Sequence, residues 1–142
     1  MRLIRYYDGK RESYGVLSDD NKALICLPSL AKSMGKRLPR SLEAFLRMEE
    51  KAVKTAEELL KKHSKTTSRK LIAVNRIKPL APIVHPPKII CLGLNYRDHA
   101  AEQNAKIPDE PIIFLKPHTT IIGPYENIIK PKMVKKSTMR QN

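Results

Sequence analysis

The sequence predicts an α+β protein with a small N-terminal antiparallel meander and helices, followed by the first strands and helix of a second, β-rich domain. Three observations predict this class. Alternating segments surround an Asp-Gly turn in the first 27 residues, a helical period begins at Ser41, and a proline-rich passage precedes new strand-like runs. We therefore predict a small domain over residues 1–80, a connector over 81–87 and the start of the second domain over 88–142.

The first 27 residues read as three short strands. An alternating segment ends at Tyr7, and Asp8-Gly9 then separates it from a second segment that ends at Leu17. Asp-Gly between two such segments is typical of a β-hairpin. A polar turn and an apolar run over Lys22–Leu27 add the third strand of the meander.

Helices follow the meander. Pro28–Met34 is predicted to form a short helix that ends at Gly35, since glycine favours the left-handed conformation at helix ends. Ser41 is a suitable N-cap for a longer helix. The apolar residues after it keep the helical spacing to about His63, with a break near Met48–Glu50.

A polar loop over Ser64–Lys70 and a short apolar run over Leu71–Val74 lead into the connector. Four prolines, at positions 79, 82, 86 and 87, exclude a helix there and favour extended chain. His85 lies in this passage, where a single histidine is usually an exposed or lightly packed side chain.

The second domain opens with a buried-strand pattern over Lys88–Leu92. Asn95 and Asp98 have the spacing of a capping box that starts a short helix. Further strands are predicted over Pro111–Leu115 and Asn127–Ile129, with a Gly-Pro turn at positions 123 and 124 between them.

The formal net charge of +14 produces a positive field that attracts anionic partners. Basic residues are scattered along the chain, however, and aromatic residues, 5% of the composition, do not alternate with them as base-stacking platforms would. Nucleic-acid binding is therefore the less favoured alternative. It predicts an affinity that falls steeply with salt and survives replacement of His99 by alanine.

Both cysteines, Cys26 and Cys91, lie in apolar runs and are expected to be small buried hydrophobic residues. The sequence shows no signal peptide and no apolar stretch of about 18 residues. We therefore expect a cytoplasmic protein without a membrane partner.

His99 and Glu102 form the candidate catalytic pair. They stand three positions apart on a predicted helix, so that Glu102 can accept a proton from one imidazole nitrogen. A carboxylate there raises the basicity of the other nitrogen, as a general base that activates water requires. A surface ion pair is the competing interpretation of the same spacing.

Lys116 ends an apolar strand and precedes Pro117, so its amine is expected to emerge at a strand end. A lysine in that place can stabilise an oxyanion or bind a carboxylate. The competing interpretation is a lysine that only marks the exit of the strand to solvent.

Four motifs follow one another in the second half: GLNYRDHA over Gly93–Ala100, Glu110-Pro111, FLKP over Phe114–Pro117 and IGP over Ile122–Pro124. Together they resemble the start of the catalytic domain of the fumarylacetoacetate hydrolase family. The N-terminal RLIRYYDGKRESYGVL and the helical stretch after it are similar to the small N-terminal domain of bacterial and archaeal members. The resemblance extends to about Lys136.

The resemblance implies a Mg²⁺-dependent enzyme that acts on dioxo acids by C–C hydrolysis, decarboxylation or keto-enol isomerisation. It also implies that His99 and Glu102 form the water-activating dyad and that Lys116 lies at the substrate site. In such a site the metal binds the enolate and carboxylate oxygens.

The chain departs from the family after its Gly-Pro turn, where members place a Glu-x-Glu pair. Here residues 135–142 read KKSTMRQN. One choice of codons for this tail, shifted in frame, reads Lys-Val-Asp-Tyr-Glu-Ala-Glu, which restores the motif. We therefore expect a frameshifted and truncated member, and sequencing the gene across the lysine codons tests this.

The expected function is thus that of a family member or fragment without metal-supported activity, which itself supplies no metal or cofactor ligand and does not bind Mg²⁺ tightly. One alternative is a stand-alone interaction or regulatory module that pairs with a subunit carrying the metal site. Homo-oligomer formation is left open.

Overall fold

The protein is described by a computed structural model over residues 1–64 and 71–133. Its elements in chain order are β1 (Leu3–Tyr7), β2 (Glu12–Leu17), β3 (Ala23–Cys26), α1 (Leu27–Ser33), α2 (Leu42–Leu46), α3 (Glu49–Ser64), β4 (Ile72–Ala73), β5 (Lys78–Leu80), β6 (Ile89–Gly93), α4 (Arg97–Glu102) and β7 (Ile112–Lys116). Short 3₁₀ turns cover Val74–Arg76 and His118–Thr120. The predicted α+β class is confirmed.

The predicted meander forms the centre of a five-stranded sheet with strand order β4-β3-β2-β1-β5. All its pairings are antiparallel, and β1 pairs with β2 on one side and with β5 on the other. Gly15 in β2 allows the closest approach, because a Cβ there would lie 2.2 Å from the carbonyl oxygen of Ile25. The sheet therefore requires a glycine at this position.

The helices pack on this sheet and bury the main core. Phe45 of α2 is fully buried, and its ring lies 5.3 Å from the ring of Tyr14, centroid to centroid. The Tyr14 hydroxyl donates a hydrogen bond to the carbonyl oxygen of Pro39 at 2.9 Å. Burial raises the pKa of Tyr14 far above its usual range. The core also contains Leu27, Leu42, Ala52 and Ala56.

The predicted helix signals are confirmed. Gly35, just beyond the end of α1, has a φ of +67°. The Ser41 side chain accepts a hydrogen bond from the Ala44 amide at 3.2 Å and caps α2. Glu49, with a φ of +49°, marks the break between α2 and α3. Local signals were sufficient here because each acts within a few residues.

The connector runs beside the first sheet without forming a helix, and its backbone is held by two side chains. Arg5 Nη1 donates to the Ala81 carbonyl oxygen at 2.9 Å. Glu43 Oε1 accepts hydrogen bonds from the amides of Val84 and His85, at 2.9 and 3.2 Å. These two amides hold the pKa of Glu43 below its usual value.

Strands β6 and β7 pair antiparallel and form a separate two-stranded ribbon, with Ile89 opposite Lys116 and Gly93 opposite Ile112. Both strands were predicted, but the buried-strand interpretation of Lys88–Leu92 was wrong. The side chains of Ile90 and Leu92 are exposed, because no second layer of described residues covers that face.

Two further predictions in this region were wrong. The capping box fails because α4 begins at Arg97, with Tyr96 as an N-cap whose side chain makes no capping hydrogen bond. Leu94, at a φ of +50°, introduces a turn that moves the helix start beyond the reach of Asn95. Residues 127–129 form no strand and lie exposed, since no described strand is placed to pair with them.

Several predictions fall outside the described residues or stay untested. The loop predicted at Ser64–Lys70 lies mostly outside them, as does the frameshift proposed for residues 135–142. The domain boundaries stay a prediction.

Cys26 is buried and Cys91 partly buried, and both are free thiols. No helix within residues 1–64 and 71–133 is long and apolar enough to cross a membrane.

Candidate functional site

The candidate site begins with a sharp strand-to-helix turn. Gly93 ends β6 under tight packing, since a Cβ there would lie 3.2 Å from Cγ2 of Ile112. The next residue, Leu94, has a positive φ that a large side chain rarely adopts. Three residues later α4 begins. Backbone strain of this kind persists where neighbouring structure enforces it, often at functional sites.

The short helix α4 presents His99. Ala100 on this helix is buried, whereas His99 is only partly buried. Its Nε2 lies 3.2 Å from the side-chain amide nitrogen of Gln103, one helical turn later. With the amide as donor, Nε2 is the acceptor and the neutral ring carries its proton on Nδ1.

The contact of His99 with Gln103 was missed from the sequence. The only signal for it is the i, i+4 spacing, which is as favourable for contact on a helix as the i, i+3 spacing of His99 and Glu102. Glu102 is exposed on the same helix. The catalytic role of the His99–Glu102 pair stays a prediction.

Lys116 is exposed and ends β7, as its position before Pro117 suggested. The register places it opposite Ile89, the first residue of β6, whereas α4 follows the last residue of that strand. Four residue steps, or about 13 Å of strand, separate the two ends of the ribbon. The ribbon itself therefore does not bring Lys116 beside His99, and their convergence on one substrate stays a prediction.

The end of β7 lies beside the connector. His118, two residues after Lys116, packs its ring edge-on against His85, with 5.5 Å between the ring centroids. His85 is in turn held by its backbone hydrogen bond to Glu43. The segment after β7 is therefore connected to α2 through His85 of the connector.

Two shallow cavities lie along the connector, with volumes of about 210 and 170 Å³. Neither is lined by His99, Glu102 or Lys116. Both are smaller than the roughly 300–1,000 Å³ of typical ligand pockets. The larger is lined by Arg5, Glu12, Leu80, Ala81, Val84, Ile121, Gly123 and Glu126. We therefore place the candidate chemistry at the motifs and regard the cavities as gaps between packed segments.

The described residues do not fit a metal ion. Within them no group of three His, Cys, Asp or Glu side chains is placed to hold one. Glu43 is engaged by the connector amides, and Glu126 accepts a hydrogen bond from the Gly123 amide at 2.8 Å and lies 3.7 Å from the Lys78 amine. Mg²⁺ requires several oxygen ligands in octahedral geometry.

Comparison with known proteins confirms the family resemblance. Residues 88–139 match the model of the fumarylacetoacetate hydrolase C-terminal family. The oxaloacetate tautomerase fahd2 of Xenopus laevis mitochondria is 38% identical over 134 residues, which cover 93% of this chain and 39% of that protein. The mitochondrial oxaloacetate tautomerase Fahd2a of Rattus norvegicus is 42% identical over 94 residues, 66% of this chain and 28% of that protein.

A solved structure shows the same fold. The crystal structure of an HpcE-like protein from Mycobacterium smegmatis superposes with a TM-score of 0.61 at 22% identity, over 92% of this chain and 41% of that one. The chain therefore spans about two fifths of the length of the Xenopus protein and of this solved relative.

Proposed function

We propose, on the premise that this chain is a relative of the fumarylacetoacetate hydrolase family, that it carries acid–base residues of an enzyme acting on small dioxo acids. Keto-enol tautomerisation is the reaction we favour. The Xenopus and rat relatives are both named oxaloacetate tautomerases, and they align with 93% and 66% of this chain.

The observation that carries the proposal is the turn and helix that present His99. Leu94, at a φ of +50°, forms the turn between β6 and α4, and Ala100 is a buried side chain of that helix. The Gln103 amide nitrogen lies 3.2 Å from Nε2, and as the donor it favours the tautomer in which Nε2 holds a lone pair. A neutral imidazole with a defined tautomer is what a general base requires.

In the proposed reaction His99 removes a proton from the carbon between the two carbonyl groups. The C–H bond breaks, the proton moves to Nε2 once the Gln103 amide turns away, and the electron pair moves to the adjacent carbonyl oxygen. Glu102 stabilises the imidazolium. The role of Lys116, stabilisation of the enolate by its ammonium group, rests on the family resemblance alone, because the register places Lys116 at the end of the ribbon remote from α4. Transfer of the proton to the enolate oxygen gives the enol and restores the base.

Magnesium dependence is a separate part of the proposal. We expect the carboxylates that hold a family metal to come from outside the described residues, so that this chain alone binds Mg²⁺ weakly and does not turn over substrate. Calorimetric titration with Mg²⁺, with and without oxalate as an enolate mimic, tests this. Tight, stoichiometric binding would contradict it.

Catalysis itself is tested in a chimera. The chain is extended after Met133 by the segment of the Xenopus protein that follows the region aligned with it, and oxaloacetate tautomerisation is followed by the absorbance of the enol. We expect turnover that His99→Ala and Glu102→Ala each reduce by roughly 10²- to 10⁴-fold, the usual contribution of general acid–base groups. Lys116→Ala is expected to reduce it as well.

The exposed Asp109, which pairs with the amine of Lys106 at 3.2 Å, provides the control: Asp109→Ala should leave turnover unchanged. Full activity in the His99→Ala chimera would exclude the proposed role. Cytoplasmic location and homo-oligomer formation stay predictions, and neither enters the mechanism.

A further inference from the structure

The end of α1 and the loop that joins it to α2 carry a concentration of basic side chains. Between Asp20 and Glu43 the sequence contains five basic residues and no acidic one. Four of the five lie within nine consecutive positions: Lys32, Lys36, Arg37 and Arg40. All four are exposed, and none forms an ion pair within residues 1–64 and 71–133. Their charge is therefore not neutralised by this part of the chain.

The loop that carries these residues is held in place by contacts of its backbone and of one apolar side chain. The Lys36 amide donates a hydrogen bond to the Ala31 carbonyl oxygen at 2.8 Å, across the end of α1. The Tyr14 hydroxyl donates to the Pro39 carbonyl oxygen at 2.9 Å. Leu38 is half-buried and packs against both groups of buried core side chains. Because the loop is already ordered, binding a partner costs only the ordering of the basic side chains.

The end of α3 adds a fifth basic residue beside this loop. Leu59 of α3 is buried together with Leu30 and Ala31 of α1, and Leu38 packs against the same group. Lys61, two residues after Leu59, is exposed and pairs with no carboxylate among the described residues. Basic residues that are distant in the sequence therefore lie on elements that pack against each other. We call five residues the basic cluster: Lys32, Lys36, Arg37, Arg40 and Lys61.

The composition of the basic cluster favours the phosphates of a nucleic-acid strand over a lipid surface. Proteins that lie on a membrane bury an apolar face in it, but no large apolar side chain of residues 28–41 is exposed. Lys36 and Arg40 are at most about 14 Å apart along the chain, which equals about four phosphate steps of one strand. The two arginines can each bind a phosphate through two parallel hydrogen bonds.

We propose that the basic cluster binds the phosphate backbone of nucleic acid without reading its sequence. Residues 28–41 contain no aromatic side chain, so the cluster offers no platform on which a base could stack. Phosphate contacts position a strand but carry no sequence information. The cluster contains none of the residues of the candidate site, and the proposal does not rest on the proposed function.

The test measures binding of the full chain to a fluorescein-labelled DNA strand of mixed sequence by fluorescence anisotropy at several salt concentrations. Five phosphate contacts predict a slope of about −3.5 for log K against log salt, hence roughly a 100-fold loss of affinity between 50 and 200 mM salt. A strand of unrelated sequence should bind equally well, and so should the His99→Ala chain. Absence of binding at 50 mM salt, strong sequence preference or loss of binding in His99→Ala overturns the proposal.

Lys36→Glu combined with Arg37→Glu should weaken binding by roughly 10-fold or more and make the salt slope shallower by about 2, one for each lost contact. Lys10→Glu combined with Arg11→Glu is the matched control, because it reverses an adjacent and exposed Lys-Arg pair in the turn between β1 and β2. Since charges outside the contact are screened beyond about 10 Å at 0.1 M salt, the control should change affinity less than about threefold. Equal losses in both variants would assign the binding to net charge and overturn the proposal.

Two competitors separate nucleic acid from other polyanions. Phosphatidylserine vesicles and polyglutamate should displace the DNA strand only at a much higher concentration of negative charge. Displacement by either at the same concentration of charge would assign the cluster to that class of partner and overturn the proposal. Circular dichroism should show the fold of both variants unchanged. Lys36→Gln with Arg37→Gln, which introduces no negative charge, repeats the comparison if the glutamate variant unfolds.

Discussion

The five-stranded sheet with its helices and the two-stranded ribbon are built from similarly apolar segments but differ in burial. Nearly all buried side chains belong to the first 81 residues, and Ala100 is the one buried apolar side chain described beyond them. Strand β7, IIFLK, is exposed along its whole length. Apolar sequence thus produces a strand in both regions, whereas burial requires a second layer of structure.

The two phenylalanines of the chain provide the largest test of this difference. Phe45 is fully buried against Tyr14, so Phe45→Ala should lower the free energy of unfolding by about 3–5 kcal/mol. Phe114 on β7 is 43% exposed, and Phe114→Ala should cost no more than about 1 kcal/mol. Urea denaturation followed by circular dichroism measures both.

Equal losses in the free energy of unfolding for Phe45→Ala and Phe114→Ala would mean that the ribbon, like the five-stranded sheet, is covered by other structure in solution. A loss below about 1 kcal/mol for Phe45→Ala would instead contradict the packing described for α2.

Two glycines give the next comparison. A Cβ at Gly15 would meet the backbone oxygen of Ile25 at 2.2 Å, so Gly15→Ala should destabilise by about 1–3 kcal/mol or more through overpacking. At Gly93 the nearest atom is a side-chain methyl of the exposed Ile112, at 3.2 Å, which can move aside. Thermal melts should therefore show a clear loss only for Gly15→Ala.

His63 tests whether the five-stranded sheet and its helices contain a destabilising residue. It is only 7% exposed at the end of α3, and its Nε2 has no hydrogen-bond partner among the described residues. His63→Leu should stabilise by about 1 kcal/mol, because it removes an unsatisfied buried polar atom. His63→Gln, which keeps a polar group, is the control without gain. Destabilisation by leucine would show that Nε2 is satisfied in solution.

The smallest effect is a pH dependence at the contact between α2 and the connector. The Val84 and His85 amides lower the pKa of Glu43 in the folded chain. This stabilisation is therefore present above the unfolded value of about 4.3 and is lost as pH falls through the lower folded pKa. Glu43→Gln should make stability less dependent on pH in that acidic range, as denaturation at several pH values can measure. An unchanged pH profile would show that the connector contact is absent in solution.

The first region could be predicted from sequence because its signals are local. Asp8-Gly9 fixes a hairpin, Gly35 ends a helix, and the Ser41 hydroxyl caps one, each through contacts within a few residues. The strand predicted at Asn127–Ile129 failed for the opposite reason, since an extended segment becomes a strand only when a neighbour is placed to pair with it.

The sequence motifs predicted which residues belong to the candidate site, but not how those residues are arranged. The sequence identified His99, Glu102 and Lys116, and their roles stay predictions. The register that sets Lys116 opposite Ile89 was not predicted, because it depends on pairing between strands. The left-handed conformation of Leu94, which displaces the start of α4, was not predicted either. The contact of His99 with Gln103 depends on side-chain rotamers, which spacing alone does not determine.

The position of β5 determines when the protein can fold during its synthesis. Tyr7 of β1 pairs with Lys78 of β5, which is synthesised 71 residues later. The edge strand β5 can therefore be added to the five-stranded sheet only after that interval. At typical translation rates this takes roughly 4–14 s, during which β1 has only β2 as a partner. Once residues 78–80 have left the ribosome the first sheet can close, before β6 and β7 emerge. The ribbon of β6 and β7 then forms in a chain whose five-stranded sheet is already folded.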